Sequence, residues 1–434
     1  MISVRGWNCS LSLDCLQCPD ARYVFRRSQG VASVQMSRID VTPMTGNRLV
    51  ALWLCLFVIG SAEVVAGPIM QLMGQSFGVP SSVIAYLPAA YGLAYAVIAS
   101  VAGPISDRWG RKWPLMISLS IFALLCGLLP SSGNLATAVA LSASLGTMAA
   151  IIQPATLSMV SDVTAPADMA RRIGQVFIGL MTAFIVTPAV SGLVAGRFGW
   201  QASYHLLALL AAIAALLVAR LFPPDPARSR APVTLLAMHR GALRLDEIKL
   251  RLAASYFWLG WMAGIGAVAA EIARRKLETG PAEAGAVAAF WGTLIMAGNL
   301  SGHRIQKRLS AGALPIMGGI AAIGVLALML PAPSAVVLAG AGAAWAFGYG
   351  CAGPLHHARL SNLSDEYRGT VNSYHASLLN LGIFSVSSLY ALTLGALSLN
   401  LFIAVVAAMG LVGTFLLIMA VRPLGFAKLR SARS

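Results

Sequence analysis

Long apolar runs dominate the sequence, and short polar segments separate them. Twelve runs have roughly 18 to 26 residues, the length an α-helix needs to cross a hydrocarbon core about 30 Å thick. They lie near 49–72, 83–103, 114–130, 135–160, 173–195, 201–221, 251–270, 284–302, 313–330, 335–356, 371–393 and 398–421. The pattern predicts twelve transmembrane helices.

The polar segments divide these helices into two sets of six. Residues 223–250 predict a cytoplasmic linker, so 48–222 and 251–422 are expected to form two six-helix bundles. Residues 1–47 are polar and predict a leader that is disordered or lies upstream of the start used, and 423–434 predict a cytoplasmic tail. Both the second and the eighth runs end in Gly-x-x-x-polar-basic. We therefore expect an all-α membrane protein built from two pseudo-symmetric halves.

The composition agrees with this interpretation. Hydrophobic residues make up 58% of the chain, charged residues only 11%, and the mean hydropathy is +0.77. An ordinary soluble domain has about 25% charged residues. A cytosolic enzyme, a disordered chain and a secreted disulfide scaffold are therefore excluded. The isolated Cys15-x-x-Cys18 pair has no evident further ligands, so no metal site is expected.

The distribution of basic residues fixes the expected orientation. If the N-terminus is cytoplasmic, 27 of the 31 basic residues face inward and four face outward. The four are Arg197, Arg274, Arg275 and Lys276. This bias follows the positive-inside rule and places both termini in the cytoplasm. The net charge of +16 is thereby explained without a nucleic-acid partner.

A loop motif after the second run identifies a family resemblance. Gly103-Pro-Ile-Ser-Asp107-Arg108-Trp-Gly110-Arg111-Lys112 resembles the Gly-x-x-x-Asp-Arg-x-Gly-Arg-Arg/Lys loop of the major facilitator superfamily. Gly60-Ser61-Ala62-Glu63 with Gly67-Pro68 is similar to the first helix of bacterial sugar-efflux, arabinose-efflux-like and purine-nucleoside-efflux permeases. The resemblance implies a monomeric secondary transporter of the bacterial inner membrane that works by alternating access.

Other motifs depart from the drug/proton antiporters of that superfamily. Ser142 stands where many of them have a fourth-helix arginine. The fifth-helix motif is only half kept, as Thr187-Pro188 and Ser191-Gly192, and Gln306 replaces the acid in the second-half loop. Antiport, import by symport and facilitated diffusion therefore all stay open.

Glu63 is the predicted proton-coupling residue. It lies about 21 Å along the first run, near the middle of the membrane. A charged side chain there costs about 2.5–3.5 kcal/mol, so we expect Glu63 to face an aqueous cavity or to carry a proton for part of the cycle. The alternative is a structural carboxylic acid that is hydrogen-bonded to a neighbouring helix.

Two groups of residues are candidates for conformational change. By the family resemblance, a cytoplasmic latch holds the two halves together in the outward-facing state; its residues here are Gly103, Asp107, Arg108, Gly110, Arg111, Lys112 and Arg172. Pro188 and Gly192 predict a hinge in the fifth helix, although ordinary tight packing is an equal alternative.

Polar and aromatic residues within the spans predict the substrate pocket. The candidates are Gln153, Trp261, Trp291, Trp345, Tyr349 and Asn380. For each residue singly, helix packing is the simpler interpretation. Together they describe an apolar cavity with a few amide and hydroxyl groups, which suits an uncharged or cationic solute.

The sequence contains no nucleotide-binding loop, catalytic triad or metal-binding constellation. No enzyme activity and no cofactor are therefore expected. His205, His375 and the His356-His357 pair could relay protons or simply be solvated near span ends. The function predicted is proton-coupled efflux of a small solute, with the solute, protons and the lipid bilayer as partners. A facilitator or importing symporter is the first alternative, and a transporter-like receptor or sensor the second.

Overall fold

A computed structural model describes residues 22–24, 37–39, 44–108, 111–162, 164, 168–223, 243, 246–363, 368–393 and 398–421. Within the leader, strands Arg22–Val24 and Ser37–Ile39 pair antiparallel. The other described elements are helices, which we number as spans.

Spans 1 to 6 form the N-terminal half. Their helices are Gly46–Val64 with Met70–Phe77 (span 1), Tyr86–Arg108 (2), Lys112–Leu128 (3), Leu135–Asp162 (4), Met169–Phe198 (5) and Trp200–Leu221 (6). The 3₁₀ turns Gly67–Ile69, Ser81–Ala85 and Leu129–Ser131 belong to spans 1, 2 and 3. Thr45 caps the first helix by accepting a hydrogen bond from the Arg48 backbone N–H.

Spans 7 to 12 form the C-terminal half. Span 7 comprises Asp246–Ala254, a π-helix over Ser255–Gly260 and Trp261–Leu277; its helix thus begins within the predicted linker range. The others are Pro281–Leu309 (8), Ala313–Ala327 (9), Ala335–Ala341 with Ala343–Ser361 (10), Arg368–Thr393 (11) and Leu399–Val421 (12).

The described residues contain eleven helical stretches that are long and apolar enough to span a membrane, and one of these is two spans. Pro281–Ala327 has 47 residues, and the turn Ser310–Gly312 divides it. Gly302 of span 8 lies beside Cys351 and Leu355, whereas Gly324 of span 9 lies beside Trp345. Trp291 of span 8 also contacts Gly342, so residue numbers rise together along spans 8 and 10, which are parallel. Ala321 of span 9 contacts Gly348, so numbers run in opposite directions along spans 9 and 10, which are antiparallel. Spans 8 and 9 therefore cross in opposite directions, and the twelve predicted spans are confirmed.

The two halves repeat one packing pattern. In the N-terminal half, span 1 packs on span 5, span 2 on span 4, and span 3 on spans 4 and 6. In the C-terminal half, span 7 packs on span 11, span 8 on span 10, and span 9 on spans 10 and 12. Adding six to each number of the first set gives the second. The structure thus confirms two pseudo-symmetric six-helix halves.

Spans 2 and 11, and spans 5 and 8, make the most extensive contacts between the halves. Glycines allow the close approach of spans 5 and 8. A methyl group at Gly285 would overlap the Pro188 carbonyl oxygen, and one at Gly292 would overlap that of Phe184. Small residues are what lets helices pack closely in lipid.

Substitution of Gly285 is expected to disturb this crossing. Gly285→Ala should lower the free energy of unfolding by about 1–3 kcal/mol, because the added methyl group overpacks the contact with Pro188. Thermal unfolding of the detergent-purified protein measures the effect. Gly340→Ala is the matched control, since a methyl group at that helical glycine meets no atom within 4 Å. Equal stability of the two variants would contradict this account of the interface.

Candidate transport site

Glu63 lies where the two halves face each other. It is partly exposed and precedes Val64, the last residue of the first helix of span 1. Its carboxyl group is within electrostatic range of Tyr91 and Tyr95 in span 2 and of Tyr349 in span 10. The charge of this acid therefore acts on phenol groups of both halves.

The two tyrosines of span 2 make hydrogen bonds to spans 4 and 1. The Tyr95 hydroxyl donates to Gln153 Oε1 at 2.5 Å, and the Tyr91 hydroxyl donates to the Ile59 carbonyl at 3.4 Å. Of the six pocket candidates, Gln153 bonds to Tyr95, and Tyr349 is itself within electrostatic range of Glu63.

Trp261 and Asn380 each have a buried polar atom that makes no hydrogen bond to the described residues. Among the described residues, the Trp261 indole N–H and Asn380 Oδ1 are buried without a hydrogen-bond partner. The Asn380 backbone lies against Gly92, the residue after Tyr91. A buried polar atom without a partner is costly, so these atoms suit contact with a bound solute or water.

Trp291 and Trp345 have the geometry of packing residues. They are 1% exposed, and their rings meet edge to face at 5.8 Å. The Trp291 N–H donates to the Ala339 carbonyl at 2.9 Å, and the Trp345 N–H donates to that of Met262 at 3.2 Å. Since their polar atoms already have partners, we leave both out of the pocket proposed below.

The hinge candidates lie at two helix interfaces. Ser61 and Thr187 share a buried hydrogen bond of 2.7 Å between spans 1 and 5. Pro188, the next residue, lies against Gly285, and Gly192 lies against Pro281. The hinge therefore stands at the contact between the halves, and its movement stays a prediction.

The latch candidates are described only in part. Arg111 donates to the Ser158 carbonyl, Lys112 donates to the Ala219 carbonyl at 2.9 Å and to that of Phe222, and Arg172 donates to Gln175 at 3.1 Å. These bonds join groups within the N-terminal half. Gly110 and the side chains of Asp107 and Arg108 lie outside the described part, and no contact of Gly103 is described, so the latch stays a prediction.

Sequence reasoning missed a buried ion cluster between the halves. Glu271 of span 7 is 0% exposed and accepts hydrogen bonds from Arg274 at 2.6 Å and Arg275 at 2.9 Å. Ser81, at the start of span 2, donates to the same carboxylate at 2.7 Å. The Glu271–Arg spacings of three and four residues, which place side chains on one helix face, could have indicated it.

The ion cluster lies at the end of the bundle that is away from the linker between spans 6 and 7. We call the end at which span 6 finishes and span 7 begins the linker end, and the end with Ser81 and Glu271 the opposite end. At the opposite end, Gly67 also lies against Ala267 and Ala270 of span 7. The two halves are therefore in contact at this end of the molecule. The described residues contain no group of three or more His, Cys, Asp or Glu that could hold a metal ion.

The family model described as Major Facilitator Superfamily matches residues 52–387, which is most of the chain. The chain belongs to the major facilitator superfamily. It is a multi-pass membrane protein of a transporter family, whose members are not enzymes in general.

Relatives within the superfamily include both uncharacterised and resistance proteins. The chain is 26% identical to YceJ of Bacillus subtilis (strain 168), an uncharacterised transporter, over 78% of this chain and 86% of that protein. It is 31% identical to multidrug resistance protein 2 of the same organism, over 34% of this chain and 37% of that protein. It is 25% identical to multidrug resistance protein D of Escherichia coli (strain K12), over 41% and 45% respectively.

Solved superfamily structures share the fold at low sequence identity. The nucleoside transporter NupG matches with a TM-score of 0.72 and 12% identity over 86% of this chain and 98% of that chain. A D-xylose–proton symporter matches with a TM-score of 0.70 and 12% identity over 86% and 96%. Both comparisons support the twelve-span fold.

Proposed function

We propose that this protein is a proton-coupled exporter of small cationic or uncharged, partly lipophilic solutes. It would operate by alternating access in the bacterial inner membrane as a monomer, with both termini in the cytoplasm. The linker end would then face the cytoplasm, because most basic residues lie there.

The observation that carries the proposal is the position of Glu63. A carboxyl group that lies within a span, is partly exposed and is within electrostatic range of phenol groups from both halves can hold either a proton or a cationic solute. Binding of one opposes binding of the other, since a carboxylate that has released its proton attracts a cation. Exchange at a single site is the simplest chemistry of antiport.

The polar groups assigned to the proposed pocket support the choice of solute. Gln153 and Tyr349 would offer an amide and a hydroxyl group, and Trp261 and Asn380 have buried polar atoms without a partner among the described residues of spans 7 and 11. Aromatic rings also attract cations through their π faces. The names of several relatives point the same way, among them the multidrug resistance proteins and the tetracenomycin C resistance and export protein of Streptomyces glaucescens.

Import by symport or facilitated diffusion is the second candidate. It is favoured by Ser142, which stands where many antiporters of the superfamily carry an arginine. The Ser142 hydroxyl instead donates to the Leu87 carbonyl of span 2 at 2.7 Å, so this position contributes packing and no charge.

A solute screen in everted membrane vesicles tests the direction of transport. The vesicles are acidified inside by respiration and followed with a pH-sensitive dye. Ethidium, tetraphenylphosphonium, uridine and arabinose are then added outside or preloaded inside. Export predicts that an added cation dissipates the gradient only when the protein is present. Dissipation only by preloaded solute would indicate a symporter and would contradict the proposal.

A further inference from the structure

Three buried polar side chains from three spans meet in the C-terminal half. Ser255 of span 7 places its hydroxyl oxygen 2.8 Å from His356 Nε2 of span 10 and 2.9 Å from His375 Nδ1 of span 11. Ser255 and His356 are 0% exposed and His375 is 4% exposed. More than 100 residues of sequence separate Ser255 from each histidine, so the fold alone brings them together.

The hydrogen bonds of this cluster allow a proton to pass. Ser255 has one hydroxyl proton and three neighbours, since the Arg251 carbonyl oxygen also lies 3.1 Å away. At most one imidazole can therefore accept this proton, and another must donate to the serine oxygen. His356 Nδ1 is buried and has no partner among the described residues. His356 Nδ1 can therefore take up or release a proton without breaking a hydrogen bond to another described residue.

His357 and Tyr349, also on span 10, are the residues that would connect the cluster to the surface and to the transport site. The His357 ring, at an exposed position near the end of span 10, lies 4.7 Å from the His375 ring. In the other direction, Tyr349 precedes His356 by seven residues and therefore lies on the same face of span 10. Tyr349 is the residue of this span within electrostatic range of Glu63.

We propose that His357, His375, Ser255 and His356 form a proton path between the linker end and the transport site. This inference rests on the proposed proton coupling. A proton that reaches His375 moves from its Nδ1 to the Ser255 oxygen, while the serine gives its own proton to His356 Nε2. The reverse sequence releases a proton at the linker end. No net charge remains on the serine.

Nearby cations oppose retention of a proton on His356. Arg251 and Arg359 are cations near His356, so they repel an additional positive charge there. Arg251 pairs with Glu247 at 3.0 Å, and Arg359 donates to Gln306 at 3.2 Å. The other titratable groups of these three spans are Asp246, Lys249, Tyr256, Glu271, Arg274, Arg275 and Lys276 of span 7, Tyr349 and Cys351 of span 10, and Arg368, Tyr374 and Tyr390 of span 11; span 12, which packs on the start of span 7, has none. The π-helix that begins at Ser255 is a distortion often found at functional sites.

Comparing proton-driven transport with solute exchange distinguishes a proton path from a purely structural role of the cluster. Protein in proteoliposomes is tested with ethidium or tetraphenylphosphonium, first with an imposed pH gradient and then in exchange at equal pH. We expect His356→Gln, His375→Gln and Ser255→Ala each to reduce gradient-driven transport at least tenfold. Exchange, which needs no net proton movement, should stay within twofold of the wild-type rate. Ser255→Thr should restore driven transport because it retains the hydroxyl.

The controls make each outcome decisive. His303→Gln changes an exposed histidine outside the cluster and should leave both rates unchanged. The double variant His356→Gln/His375→Gln should be no slower than either single variant, as expected for one path. Normal driven transport in the histidine variants, alongside its loss in Glu63→Gln, would overturn the path and leave the proposed function standing. Equal loss of exchange and driven transport would assign the cluster a structural role. No driven transport in the wild type would overturn both proposals.

Discussion

Replacing Glu63 with glutamine is expected to abolish proton-driven transport. Glutamine has nearly the same shape and keeps hydrogen-bonding groups near Tyr91 and Tyr95, but it cannot exchange a proton in this pH range. Accumulation of solute against its gradient should fall to the level of liposomes without protein. Exchange of an uncharged solute at equal pH should continue, because the two halves can still alternate.

Two comparisons test the prediction about Glu63. Glu283→Gln removes an acid at an exposed position near the start of span 8 and should transport normally. Glu63→Asp keeps an ionisable group and should retain part of the driven transport. Coupled transport at the wild-type rate in Glu63→Gln would move proton coupling to another residue.

Replacing Glu271 with glutamine is expected to destabilise the folded protein by about 3 kcal/mol. The side chain is 0% exposed, and its loss of charge leaves Arg274 and Arg275 without their anionic partner. Such a loss is costly because a partly buried cation then stays uncompensated. The contact with Ser81 also weakens, so the opposite end should open more readily. The melting temperature in detergent and labelling of a cysteine placed at Ser82 measure the two effects.

An exposed ion pair provides the matched control for Glu271. Asp168 and Arg171 are 3.7 Å apart, and their side chains are 57% and 64% exposed. Asp168→Asn should change stability by less than about 1 kcal/mol, because solvent screens such pairs. If Glu271→Gln were as mild as this control, the buried cluster would not hold the halves together.

Hydropathy was enough to predict the twelve spans, since each must present about 20 apolar residues to lipid. It could not predict where helices change their winding. The π-helix over Ser255–Gly260 lies inside one of the predicted apolar runs, and spans 10 to 12 pack against it. The glycine positions, unlike hydropathy, indicate which helix faces pack closely together. Gly285 and Gly292, seven residues apart, mark one face of span 8, and that face meets span 5.

The site was only partly predictable, because residue type does not reveal whether a polar atom already has a partner. Trp261 and Trp345 are both tryptophans within predicted apolar runs, so the sequence gives no reason to treat them differently. In the structure, the Trp345 N–H donates to a backbone carbonyl, while the Trp261 N–H has no partner among the described residues. Ser255, His356 and His375 come from three separate spans and share no sequence pattern. Glu63 could be proposed from sequence because a carboxyl group in the middle of a predicted span is expensive, whereas Glu271 lies just beyond the predicted run 251–270.

Proton release on solute binding is the most direct test of proton exchange at Glu63. Purified protein in weakly buffered detergent solution is mixed with tetraphenylphosphonium or another solute that the vesicle screen identifies, and the pH change is recorded. The account predicts that the wild type releases a proton as solute binds and that Glu63→Gln binds without release. Equal proton release by both proteins, or solute binding by the wild type with no release, would contradict it.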